Sequence, residues 1–194
     1  MSMFIKDWKK DVFTIPNMLS MFRLILIPVY VSIYLNAREA KDYFIAGTIL
    51  AVSCLTDMID GQIARRFNLI SNVGKILDPT ADKATQLALV ICLSIRYPVL
   101  KWVLGMFLTK EFTQAFIALV KFRQGKALSG SLLAGKICTT VLFISLTFLV
   151  LVPNVDVKIV NAFAITDFIC LAYAFVRYVF AFCGKNAQVQ DFEN

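Results

Sequence analysis

The chain has 194 residues, 59% of them hydrophobic and 17 of them Phe, with a mean hydropathy of +0.72 and a net charge of +7. Soluble domains are about 45–50% apolar on a similar count, so the composition excludes an ordinary water-soluble globule and points to a membrane protein. No nucleic-acid partner is expected, and the excess positive charge has to be read by where it lies relative to a bilayer.

In chain order, the opening residues MSMFIKDWKKDV set Phe4, Ile5, Trp8 and Val12 at helical spacing opposite Lys6, Lys9 and Lys10. That pattern predicts an amphipathic helix lying in the membrane interface over residues 1–15. A cleaved signal peptide is the competing reading, but the apolar run that follows is too long for one and carries Arg23. A spanning helix needs about 20 mainly apolar residues, and six such stretches follow: roughly Asn17–Asn36, Tyr43–Thr56 extended through Arg65, Gly74–Ile95, Pro98–Phe122, Leu132–Val152 and Val157–Phe182. Their joins are short. The expected fold is therefore all-α and integral to the membrane, six transmembrane helices in one bundle, a single membrane domain over 1–194 with no soluble domain.

With the N-terminus inside, the inner segments hold Lys6, Lys9, Lys10, Arg65, Arg66, Lys75, Lys121, Arg123, Lys126 and Lys185, against Arg38, Lys41, Arg96, Lys101 and Lys158 outside. Ten against five favours both termini in the cytoplasm. Five cysteines (Cys54, Cys92, Cys138, Cys170 and Cys183) are scattered through apolar segments without a CxxC pair, so they are expected to be reduced and to pack as small apolar side chains.

Ionisable residues inside spans are rare and usually face a partner, a cavity or a reaction path. In the first span Asn17, Ser20 and Arg23 recur every three residues, lining a site or hydrogen-bonding between helices. Asp57 and Asp60 share a face of the second span, and Asp78 and Asp82, four apart, share a face of the third. The two helices are joined by a short loop and should be antiparallel neighbours, so four carboxylates can converge. Like charges at close range in a low dielectric either take up protons or bind cations. Hard divalent ions prefer carboxylate oxygens, and magnesium leaves room for substrate phosphates. The chain has no His, and the Cys nearest these aspartates, Cys54, stands alone three residues before Asp57, which disfavours zinc or copper.

Gly61, Ala64 and Gly74 stand among the aspartates, small enough for a ligand to approach the backbone or for helices to pack closely. Pro79 follows Asp78. If the helix starts near Ile76 the proline falls in its first turn; if it starts near Ser71 a kink separates Asp78 from Asp82. Later spans carry Lys110, Glu111, Lys136, Asp167 and Arg177. The cations either grip phosphate or snorkel toward lipid headgroups, and Asp167 is expected to pair with a basic residue.

Written out, the carboxylate stretch is Asp57-x2-Asp60-Gly61-x2-Ala64-Arg65-x8-Gly74-x3-Asp78-x3-Asp82. It resembles, position for position, the signature of the CDP-alcohol phosphotransferase family, and its setting on two joined helices agrees with that family's six-helix fold. The resemblance is strong to about residue 90 and looser beyond. Within the family, TIPNMLSMFRLILIPVY and GKILDPTADK look like the phosphatidylglycerophosphate synthases.

The resemblance implies a reaction: an alcohol hydroxyl attacks the lipid-linked phosphorus of a CDP-alcohol and CMP leaves. It implies two Mg2+ ions, with Mn2+ as the alternative, held by Asp57, Asp60 and Asp78, with Asp82 as general base that also touches a metal. Gly61, Ala64, Arg65 and Gly74, with Asp57, fall at the positions associated with the CDP part. The acceptor expected from the branch is glycerol 3-phosphate, the lipid donor CDP-diacylglycerol, and Arg23, Lys110, Lys136 and Arg177 are the candidate phosphate-binding cations. Lys136 with Thr140 in GKICTT resembles the branch, whereas Lys110 stands where Arg is typical and Cys138 where a second Lys is common. Lysine is a point charge rather than a planar fork, which alters a phosphate grip. Ser20 stands where the family commonly has Thr.

The alternatives are the same chemistry on phosphatidylglycerol, inositol phosphate, serine, choline or ethanolamine, and, in a different class, a cation transporter. A transporter places its site near the midplane between repeats, and no repeat is visible here. A homodimer in the bacterial cytoplasmic membrane, with the site facing the cytoplasm, completes the expectation.

Overall fold

A helix in lipid satisfies its backbone internally and turns its polar side chains toward protein. The computed structural model describes residues 15–66, 74–123, 126–128, 133–152, 154–183 and 189–191, with the backbone alone for 15–16, 57–66, 75–76, 122, 126–128, 133–134, 136, 181–183 and 189–191. Among them are six helices, α1 (Ile15–Asn36), α2 (Ala40–Arg66), α3 (Gly74–Arg96), α4 (Leu100–Arg123), α5 (Leu133–Leu151) and α6 (Val157–Cys183). The expected interfacial helix falls on residues outside those described, apart from Ile15, which already belongs to α1.

The helices coincide with the six predicted stretches to within a few residues. Three contain a segment long and apolar enough to cross a membrane: Asn17–Asn36, Leu100–Lys121 and Val157–Phe180. A shorter apolar segment, Ile137–Leu151, lies in α5. The helices α2 and α3 are long, at 27 and 23 residues, but carry the aspartates and their flanking cations, which lowers their apolarity.

The chain packs as two units: α1, α2, α3 as far as Cys92 and the end of α5 from Val150 form the first, and the remainder forms the second. In the first unit α1 and α2 pack against each other. Tyr34 of α1 meets Tyr43 of α2 edge-on at 5.5 Å between ring centres, and Tyr30 stacks below it at 5.7 Å. The turn between these helices is closed by Asp42, whose carboxylate accepts the N–H groups of Arg38 at 2.9 Å and Glu39 at 3.0 Å. This is the reach-back half of a capping box. A Cβ on Gly47 would meet the tip of the Leu151 side chain, which would have to turn aside to make room for it.

In the second unit α4 packs on α6, and its core includes Phe107, Leu142, Leu146 and Leu171. It also holds an antiparallel pair of short strands, β1 (Lys126–Leu128) and β2 (Val189–Asp191), with Ala127 opposite Gln190. Three residues are too few to display an alternating pattern, so no sequence signal announced them. The α3 helix starts at Gly74, between the two predicted starts, and Pro79 therefore sits in its second turn. There it withholds the N–H that the Lys75 carbonyl would accept.

Candidate active site in the first unit

The polar stripe of α1 is turned inward. Asn17, Ser20 and Arg23 are 1%, 0% and 2% exposed, while Met18, Met21, Phe22 and Ile25 face outward, Ile25 at 62%. This inversion of the soluble pattern needs a partner for each buried polar group, above all for a buried charge.

The helix α3 supplies two of those partners. Ser20 Oγ donates to Asp78 Oδ1 at 2.5 Å, and the Arg23 guanidinium pairs with Asp82 Oδ1. The three-residue step on α1 and the four-residue step on α3 are each about one turn, so two consecutive turns of each helix meet pair by pair. Asp82 is half exposed, unlike the arginine it holds. Gly74 is buried at the start of the same helix. One turn beyond Ala81, the hydroxyl of Thr85 donates back to the Ala81 carbonyl at 2.9 Å and needs no external partner.

Asp57, Asp60, Gly61, Ala64 and Arg65 all fall on the last turns of α2, in the same unit, and their side chains lie outside those described. No cluster of three or more metal-ligating side chains is present among the described residues. The Arg23 guanidinium is itself a cation held by Asp82, and the possible ligands among these described side chains are the oxygens of Asp78, Asp82 and Ser20, all hard donors. That chemistry suits a hard divalent cation.

Of the remaining candidate cations, Lys110, Lys136 and Arg177 belong to the second unit. Lys110 is only 3% exposed and its ammonium lies 2.7 Å from Glu111 Oε1. Neighbours in a helix point about 100° apart, so this pair forms only because both side chains are long. Arg177 is exposed, and the side chain of Lys136 lies outside those described.

Asp167 corrects an expectation. It is fully buried, and its partner is the hydroxyl of Ser145, 3.0 Å from Oδ1, rather than a base. In the middle of α6 the facing helix is apolar α5, where Ser145 supplies the polar contact. Nothing in the sequence links two residues 22 positions apart in different helices, and the Ser145 role was not foreseen.

Residues 13–180 match the family of CDP-alcohol phosphatidyltransferases, which is most of the chain. The chain belongs to this family.

Two bacterial relatives carry the name CDP-diacylglycerol–glycerol-3-phosphate 3-phosphatidyltransferase. The Bacillus subtilis protein is 33% identical over 150 residues, covering 72% of this chain and 77% of its own length. The Shigella flexneri protein is 32% identical over 154 residues, covering 77% and 83%. A cardiolipin synthase (CMP-forming)/mitochondrial hydrolase fusion protein from Schizosaccharomyces pombe is 41% identical over 91 residues, which is 45% of this chain and only 14% of that protein.

Proposed function

We propose that the chain transfers a phosphatidyl group from CDP-diacylglycerol to the hydroxyl of glycerol 3-phosphate, giving phosphatidylglycerophosphate and CMP. The observation that carries this is the meeting of Ser20 and Arg23 with Asp78 and Asp82 in a family member whose relatives of matching length bear that activity in their names.

The acceptor O–H is a poor nucleophile near neutral pH, so a carboxylate within reach of its proton helps the attack. Asp82 takes that proton as the new O–P bond forms and the bond from phosphorus to the CMP oxygen breaks. Arg23 compensates the Asp82 charge and fixes the carboxylate by a charge-assisted hydrogen bond. Ser20 orients Asp78 in the same way with a neutral donor. Asp57, Asp60, Asp78 and Asp82 would hold two Mg2+ ions, or Mn2+, which when bound supply charge neutralisation of the pyrophosphate. Gly61, Ala64, Arg65 and Gly74 bound the CMP moiety. Arg23, Lys110, Lys136 and Arg177 remain the candidate cations for an acceptor phosphate.

A second acceptor, phosphatidylglycerol, is favoured by the similarity to the cardiolipin synthase fusion protein. The excess of Lys and Arg on one set of joins supports both termini and the site at the cytoplasmic face. The bacterial relatives support a cytoplasmic-membrane location, with a homodimer as the working assembly.

The test is CMP release by purified protein given CDP-diacylglycerol, Mg2+ and a panel of acceptors, in detergent and without a gradient. Release with glycerol 3-phosphate is expected. Release only with phosphatidylglycerol moves the assignment to cardiolipin synthesis, and no release with any alcohol sinks the transferase and returns the carboxylates to a transport role. Asp82→Asn should abolish turnover while CDP-diacylglycerol binding persists; full activity in that variant removes Asp82 as the base.

A further inference from the structure

The second unit carries a feature that the transferase chemistry does not use. The helices α4 and α6, separated in the chain by β1 and α5, pack side by side and follow the joins at residues 97–99 and 152–156. Beside the first turn of α4 and two to three turns into α6 lies an open apolar groove of about 300 Å³, lined by Val99, Trp102, Ala164, Ile165, Phe168 and Ile169. Its wall includes Trp102, 75% exposed, and no charged side chain.

The first turns of α4 and α6 and the joins before them carry Arg96, Lys101 and Lys158 against Asp156. Lys101 precedes Trp102 and is exposed. Lys158, also exposed, stands seven residues before Ile165, two turns and about 10 Å along the same face of α6. Arg96 closes α3 at the same join, its guanidinium 5.6 Å from the centre of the Tyr97 ring. The acid among the described residues of these joins is Asp156, and it is committed to capping α6. Its carboxylate accepts the Lys158 N–H at 2.9 Å, and its carbonyl accepts from Ile159 and Val160.

We propose that this groove binds an anionic phospholipid, with its phosphate at Lys101 and Lys158 and one acyl chain laid along Trp102, Ile165, Phe168 and Ile169. The volume suits it: at about 30 Å³ for a methylene-sized group, comparable with a water's share of liquid volume, the groove takes about ten methylenes. The order along α6 suits it too, with Lys158 in its first turn and Ile165, Phe168 and Ile169 further in, beside the Trp102 indole of α4. A second copy of the chain related by a two-fold axis would bring this positively charged patch against itself. The site is independent of which alcohol the transferase uses.

The two tryptophans, Trp8 and Trp102, make the groove observable. With Trp8→Phe as background, the full-length protein is placed in bilayers containing phospholipid brominated in its acyl chains, either phosphatidic acid or phosphatidylcholine. Contact with bromine quenches Trp102 emission. Quenching is expected at a lower mole fraction of the anionic lipid, and Lys101→Gln with Lys158→Gln should erode that preference by about five-fold per lysine. Ala164→Phe, which fills the groove and leaves the lysines in place, should weaken quenching by both lipids. Equal quenching by the two lipids in the parent protein overturns the proposal, as does a preference that survives loss of both lysines. Absence of quenching together with a Trp102→Cys cross-link between two chains also overturns it, and assigns the groove to a second copy.

Discussion

Arg23 is the most demanding side chain in α1 to bury, and Asp82 is what makes its burial tolerable. An unpaired cation at that position would face the full cost of desolvation; paired, it doubles as the counter-charge of the residue proposed to take the proton. A comparable dependence holds at Ser145 and Asp167. Ser145→Ala leaves a buried carboxyl without its donor and should cost about 1–3 kcal/mol. Adding Asp167→Val removes the stranded group and should recover most of that loss, as read by unfolding in detergent.

Asp42 gives a signed pH prediction. The backbone N–H groups of Glu39 first and Arg38 second hold its carboxyl below the ordinary aspartate value, outweighing the small opposing effect of burial. Its folded pKa is lower than its unfolded one. The stabilisation is therefore complete above the unfolded value and disappears as pH falls through the folded value. Amide exchange at Arg38 and Glu39 should accelerate in that acid window, and Asp42→Asn should flatten the dependence.

At the scale of elements, the glycines separate packing from propensity. Gly47→Leu drives new atoms into Leu151 and should cost about 1–3 kcal/mol. Gly105 meets nothing within 4 Å, so Gly105→Ala should stabilise α4 by about 0.5–1 kcal/mol. Opposite shifts in thermal midpoint check both. The helices themselves were legible in the sequence because apolar runs of spanning length advertise themselves. The start of α3 was not, because Gly74 and Pro79 send conflicting local signals. The strand pair was not either, because it depends on two segments some sixty residues apart meeting.

At the scale of the whole molecule, the proposed metal requirement has a direct measurement. Chelation should abolish CMP release and added Mg2+ should restore it, with Mn2+ substituting; activity that survives exhaustive chelation rejects the metal role. The site's membrane side is checked by labelling single cysteines introduced in the joins, in a cysteine-free background. Those at the ends of α2 and α4 should be reached from the cytoplasm, and those near Glu39 and Asn154 from outside.

The sequence by itself determined the family and, with it, the reaction class. The signature lies on two helices joined by a short loop, where spacing alone carries the chemical pattern. It also determined where the helices run, since lipid tolerates little besides long apolar segments. Only the tertiary structure decided which polar groups answer one another. Ser20 meets Asp78 across 58 positions and Arg23 meets Asp82 across 59, while Asp167 takes a serine in place of the base expected for it. A helix's period tells which face a residue occupies. The partner on the opposing face is set by packing between helices distant in the chain, and no local pattern encodes it.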